Sequence, residues 1–163
     1  MSQQASADTL LFAFAVGERL FGIPATCVLE VSRDFVITRV PGAPRSIAGV
    51  INLRGEIVVA IDMSRRLGLT EPGGDSPPLC VFVTAGQSTA GMLVDRVLAM
   101  RRVEPSWIDS AAGGLENDPL VRGVARLPDC LMTLIEADEI LPSAGANRSE
   151  ITLKATSTPA LRS

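Results

Sequence analysis

Two stretches of this chain repeat in the same order. Residues 10–31 align without a gap on residues 79–100, at an offset of 69, and share Leu10/Leu79, Gly17/Gly86, Gly22/Gly91, Val28/Val97 and Leu29/Leu98. Residues 47–67 align without a gap on 121–141, at an offset of 74, and share Gly49/Gly123, Val50/Val124, Leu53/Leu127, Ile61/Ile135 and Leu67/Leu141. Glycines recur where turns or close backbone approach need them. Duplication accounts for the matched order and near-equal offsets, and it divides the chain into two halves of similar plan.

Both halves read as β-rich. Leu10, Phe12, Phe14 and Val16 alternate on one face of a strand that turns at Gly17-Glu18 and returns over Leu20 to Ile23. Pro24 suits the start of a short helix over Ala25 to Val31. Val36 to Val40 reads as a strand stopped by Pro41-Gly42-Ala43-Pro44. Ile47 to Leu53 and Glu56 to Asp62 form a hairpin around Arg54-Gly55, and Ser64 to Leu69 one helical turn. In the second half, strands are expected over Leu79 to Val83 and Ala90 to Ala99, a loop over Ser106 to Asp118, and a hairpin of Leu120 to Leu127 with Leu131 to Glu136. Each half therefore holds about five short strands, the number that closes a small barrel. The expected fold is mainly β, two five-stranded barrels with a few short helices. A barrel of this size buries a modest core. With 47% hydrophobic residues, the two should pack on each other. The expected bounds are a disordered lead over 1–8, a domain over 9–142, barrels at about 10–70 and 79–141 with strand exchange allowed, and a disordered polar tail over 143–163. Glu71 to Pro78 is the internal linker.

What is missing narrows the chemistry. The chain of 163 residues has no histidine, which removes imidazole bases and imidazole metal ligands. Net charge is −3 and aromatics are 4%, so neither phosphate binding nor base stacking is supported, and no nucleic-acid partner is expected. Cys27, Cys80 and Cys130 are widely spaced, without a CxxC pair, and read as buried thiols of a reduced compartment. No metal-ligand spacing, dinucleotide fingerprint or phosphate loop is present, so no cofactor, metal or catalytic residue is expected. The start of the chain lacks a signal-peptide pattern and no apolar run reaches membrane-span length, so a cytoplasmic protein without membrane insertion is expected. Asp62 reads as a cap after a strand. Asp95-Arg96 reads as a solvent-face or local ion pair.

The hairpin Asn52-Leu53-Arg54-Gly55 is the sharpest feature. Asn and Gly favour a tight turn, leaving Arg54 at a solvent-facing tip. Arg54 is either a solvated charge or a protein-contact arginine, a residue type enriched at interaction hot spots. The second half has Arg126-Leu127-Pro128-Asp129 at that place and lacks the Arg-Gly pair.

The segment IAGVINLRGEIVVAIDMSRRLGL resembles the signature of the chemotaxis coupling-protein (CheW-like) family. LLFAFAVGERLFGIPATCVLEV and ITRVPGAP upstream, and VFVTAGQSTAGMLVDRVLAM and VRGVARLPDCLMTLIEADEIL downstream, are similar to the family in the same order. The resemblance covers about residues 9–142. It implies two SH3-like barrel subdomains packed together. It further implies an adaptor joining chemoreceptor cytoplasmic tips to the regulatory domain of a histidine kinase, recruited to arrays at the inner face of the membrane. By this resemblance Asn52, Arg54 and Gly55 match the family's contact hairpin, and Val28, Glu30 and Val31 a second contact segment. Ser32 stands where the family often has a charge. Gly91, Met92, Val94 and Val97 are carried over as receptor-groove residues between the subdomains, with core packing as the other reading. Assembly is expected to run through weak heterologous contacts, with little or no homo-oligomer of the chain alone. Two other readings remain open. One is a coupling protein for a surface-sensing, gliding or pilus-motility array. The other, from a different class, is a small β-barrel enzyme using carboxylates.

Overall fold

A computed structural model describes residues 8–69, 77–110 and 118–141. Twelve strands are β1 (Thr9–Val16), β2 (Arg19–Pro24), β3 (Val28–Ser32), β4 (Ile47–Leu53), β5 (Glu56–Asp62), β6 (Leu79–Ala85), β7 (Ser88–Val94), β8 (Arg96–Val97), β9 (Arg101–Val103), β10 (Ile108–Asp109), β11 (Val121–Arg126) and β12 (Leu131–Ile135). One helical turn, α1 (Met63–Arg66), follows β5, and three single 3₁₀ turns complete the described elements. Most of the expected lead and linker, residues 1–7 and 71–76, and all of the expected tail, residues 143–163, lie outside the described residues.

The strands form two sheets. The five-stranded sheet runs β3-β6-β7-β5-β4; the seven-stranded one runs β10-β11-β12-β2-β1-β8, with β9 also on β1. Each sheet takes strands from both halves of the sequence. The hairpin β1–β2 joins β11 and β12, and the hairpin β6–β7 joins β4 and β5. The repeat reappears as register. Val59↔Ala90 and Ala60↔Gly91 pair β5 with β7 in parallel. Their counterparts at the two offsets, Thr133↔Phe21 and Leu134↔Gly22, pair β12 with β2 in parallel. Both β4 and β11 shift register at one place, before Gly49 and before Gly123. There φ is +150° and +156°, and a Cβ would run into the carbonyl oxygen of Thr38 or Asp109. Only glycine fits that backbone and that approach. The count of seven has a simple origin. The strand position filled by β3 in one sheet is broken into β8 and β9 in the other. The Thr38↔Val50 bridge of one lengthens into β10 in the other.

Several of the expected elements differ: the loop expected from Ser106 carries β10, and the strand expected over Ala90 to Ala99 ends at Val94 and resumes only as β8. Only Ala25–Cys27 makes a helical turn; from Val28 the chain is strand, because Val28 to Ser32 finds the free edge of β6. The strand expected over Val36 to Val40 is reduced to the Thr38 bridge.

Three apolar clusters follow from the exchange. Leu11, Ala13, Val103, Ala125, Leu127, Met132 and Leu134 fill the seven-stranded barrel. Ile51, Val58, Ala60, Cys80 and Phe82 fill the five-stranded one. Phe12, Phe14, Val16, Phe21, Ile61, Val81, Val83 and Met92 belong to a third cluster shared by both. Residues Leu11 to Val16 are therefore buried on both faces of β1, as an inner strand between two cores must be. Phe14 and Phe21 stack across β1–β2 at 5.7 Å between ring centroids, worth about 0.5–1.5 kcal/mol beyond burial.

Polar links also tie the barrels together. The Arg66 guanidinium on α1 donates to the Asp118 carboxylate at 3.0 Å and to the carbonyls of Glu139 and Ile140. Burial alone would raise the Asp118 carboxyl, but the Leu120 amide and Arg66 outweigh it and hold it below its usual range. The Gly17 amide at the β1–β2 turn donates to Asp95 at 2.5 Å. That corrects the expected solvent-face or local ion-pair role of Asp95-Arg96, because the turn amide presents a donor that strand geometry leaves unpaired. The Gly86 amide at the β6–β7 turn donates to Asp138 at 2.9 Å.

Candidate protein-contact site

The β4–β5 turn is built for its sequence. Asn52 Oδ1 accepts from the Gly55 amide at 2.8 Å, fixing the loop. Arg54 sits at φ +53° and Gly55 at φ +87°, the paired left-handed conformation of a tight hairpin turn. Arg54 is the one non-glycine among the described residues with positive φ. That conformation costs a branched or long side chain about 1–2 kcal/mol, and Asn or Gly would avoid most of it. What the arginine gains is a direction. Its Nη2 lies 2.8 Å from Glu30 Oε2 on β3.

This pair joins opposite edges of the five-stranded sheet, since β3 and β4 end its strand order. In a flat sheet those edges would stand about 19 Å apart, at about 4.8 Å per strand. The contact therefore requires the sheet to curl into a barrel. The seven-stranded sheet has a matching clasp of opposite polarity, with Arg101 on β9 and Asp129 at the β11–β12 turn 2.7 Å apart. The hydrogen bond from Arg101 holds the Asp129 carboxyl below its ordinary range.

Three large apolar residues of β3 and the segment after it are exposed. Leu29 is 51% exposed, Val31 41% and Val36 79%. Arg54 itself is 79% exposed. Asn52, Arg54, Gly55 and Glu30 thus meet at the β4–β5 turn, whereas Val31, next to Glu30 in β3, lies on the opposite face of the strand and lines a cleft. Val28 is half-buried against the shared core and acts as a support for that strand. Leu29 and Val36 escaped the sequence reading. Their signal was present as apolar residues flanking a charge, but exposure cannot be read without knowing which strand edge is covered. Cys80 lies beneath the site. Burial, with the Glu30 charge second, pushes its thiol up to about 12, so it is a packed side chain and no nucleophile.

The groove residues need a correction. Met92 is 0% exposed and Val94 1%, both in the shared core. Gly91 is buried beside Cys80, where a Cβ would stand 2.8 Å from the sulfur. All three sit on β7, an inner strand covered on both faces, so they offer a partner no side-chain surface. Val97 is half-buried at the edge of the core and does line a cleft of about 710 Å³ between the subdomains. The rest of its wall is Val31, Ser32, Arg33 and Asp34 from one sheet, Asp95, Arg96 and Leu98 from the other, and Pro77 and Leu79.

No group of three or more His, Cys, Asp or Glu residues suited to a metal occurs among the described residues. The Asp118 carboxyl is held low by the Leu120 amide and Arg66, and the Asp129 carboxyl by Arg101.

The geometry is that of two interlocked barrels with an arginine turn clasped to Glu30 on an edge strand. The chain matches the model of the CheW-like domain over residues 10–145 and belongs to that family. It is 29% identical over 141 residues to the chemotaxis protein CheW of Helicobacter pylori, covering 85% of this chain and 86% of that protein. It is 38% identical over 104 residues to protein FrzA of Myxococcus xanthus, covering 63% of this chain and 64% of that one. The crystal structure of scaffolding protein TtCheW from Thermoanaerobacter tengcongensis superposes with a TM-score of 0.77 at 27% identity, covering 85% of this chain and 96% of that chain.

Proposed function

We propose that this protein is a non-catalytic adaptor that joins chemoreceptor cytoplasmic tips to the regulatory domain of a histidine kinase in a chemosensory array. The carrying observation is the Glu30–Arg54 clasp on edge strand β3, whose Leu29 and Val31 are exposed. An exposed ion pair contributes little to folding. An arginine held in a costly turn conformation beside an edge strand with exposed apolar residues suits an interface, where Arg anchors are enriched and apolar cores are rimmed by charge. The cleft between the subdomains, with Val31 and Val97 on facing walls, suits the receptor tip, while the clasp end suits the kinase domain.

Localisation follows from this reading. No helix among the described residues is long and apolar enough to cross a membrane, and arrays would recruit the chain to the inner face of the membrane through its partners. Similarity to FrzA, a relative not named for chemotaxis, favours a second reading in which the same adaptor serves another chemosensory output. Calorimetric titration of the full chain with the kinase regulatory domain tests the contact. Micromolar binding, the class of small transient interfaces, is expected for the native chain, with at least a tenfold loss for Arg54→Glu. Equal affinity of both for kinase domain and receptor tip would remove the clasp from the site.

A further inference from the structure

The other end of the β4–β5 hairpin carries a second feature of different chemistry. From Leu53 back to Ile47, six residues of strand place it about 20 Å from the turn, at about 3.3 Å per residue. There a cleft of about 520 Å³ has an apolar floor of Ile37, Val40, Ile47 and Ala48 and a rim of Arg39, Arg45 and Arg65. Its one acid, Asp62, is already engaged. Asp62 Oδ1 caps α1 by accepting from the Arg65 amide at 3.3 Å, and Oδ2 stands 3.6 Å from Arg65 Nε. The Arg65 guanidinium also donates to the Arg45 carbonyl at 3.4 Å, which holds it over the opening. Among the described residues, no carboxylate lies within ion-pair distance of Arg39 or Arg45. Two of three guanidinium groups therefore face solvent across an apolar floor, in a chain whose net charge is −3.

The fold does not require this charge. At the repeat-related positions of the other barrel, Glu136 replaces Asp62, Glu139 replaces Arg65, and Arg122 replaces Ala48. There Arg122 lies 3.8 Å from Glu136 and supplies a local partner. The basic cleft belongs to one barrel alone.

We propose that this cleft docks an acidic segment of a partner protein, with an apolar side chain on the floor and flanking carboxylates on Arg39 and Arg45. The chemistry argues for a peptide. Guanidinium forks match carboxylates bidentately, and a floor of Ile and Val has no use for a bare inorganic anion. The site is separate from the clasp at Arg54 and does not depend on its role, so it would give an adaptor a second, independent point of attachment.

The test is a nitrogen-15 NMR titration of the full chain with a capped pentapeptide alternating glutamate and leucine. Shifts are expected at the amides of residues 37–48 and 62–65. Affinity should fall at least fivefold between 50 and 500 mM salt, the screening expected of exposed charges. Arg39→Glu with Arg45→Glu should abolish binding, while Arg54→Glu leaves it unchanged. Arg39→Gln with Arg45→Gln, which avoids like-charge strain, should weaken it at least fivefold if the double reversal does not fold. Equal binding of the glutamine analogue of the peptide would overturn the proposal. So would phosphate binding as tightly as the peptide, or shifts centred on the Arg54 turn that vanish in Arg54→Glu.

Discussion

At the residue scale, two arginines do opposite work. Arg54 is largely exposed and pairs with Glu30 at the surface, so Arg54→Ala should change folding stability by no more than about 1 kcal/mol in chemical denaturation. A larger loss would make the clasp structural. Arg66 is different. Its guanidinium is largely buried and bonds Asp118 and two carbonyls of the other subdomain. Arg66→Ala leaves those acceptors without their donor and should destabilise by about 2–3 kcal/mol. A pH dependence accompanies it. The Asp118 carboxyl is lowered on folding, so its contribution is present above the unfolded value of about 3.9 and fades as pH falls through the lower folded value. Native protein should exceed Asp118→Asn in stability at neutral pH, and the gap should narrow below about pH 4. A gap that stays constant to pH 2 would exclude the ion pair as its source. Arg54 was legible in the sequence because its turn residues are local. Arg66 was not, because Asp118 lies 52 positions away and only the packed subdomains bring them together.

At the scale of elements, the two hairpins around Arg54-Gly55 and Pro128-Asp129 could be read from alternation and turn residues. The segment Val28 to Ser32 could not. Its apolar spacing fits a helix or an edge strand equally, and the free edge of β6 decides. The groove residues on β7 misled for a related reason. Period two assigns a strand two faces but does not say that both are covered. The recurring glycines are the reverse case, since positive φ explains Gly17, Gly86, Gly49 and Gly123, and close side-chain approach explains Gly22 and Gly91. Gly49→Ala would force a methyl into the Thr38 carbonyl and should cost at least about 2 kcal/mol. Gly55→Ala, where nothing lies within 4 Å of the added carbon, should cost only the left-handed backbone preference, about 1 kcal/mol. Equal thermal shifts for the two would contradict the close approach at the β4 bulge.

At the scale of the molecule, duplication was visible in the sequence, but its consequence was visible only in part. The halves do not fold side by side as sequential units; they trade hairpins, so each sheet closes only with strands from both. Fragments 1–76 and 77–163 should therefore be unfolded alone and regain β circular dichroism when mixed. Independent, cooperative melting of either fragment would contradict the exchange. A molecule interlocked in this way presents two distinct ends, which suits an adaptor. Its contacts would be small and individually weak, and an assembly would gain strength from many of them at once. Sedimentation velocity of this chain, the kinase regulatory domain and the receptor tip, alone and mixed, tests the adaptor account most directly. The account predicts a slow monomer alone, and a fast-sedimenting assembly only when all three are present and Arg54 is intact. A tight homodimer indifferent to kinase and receptor, or an identical assembly formed by Arg54→Glu, would contradict it.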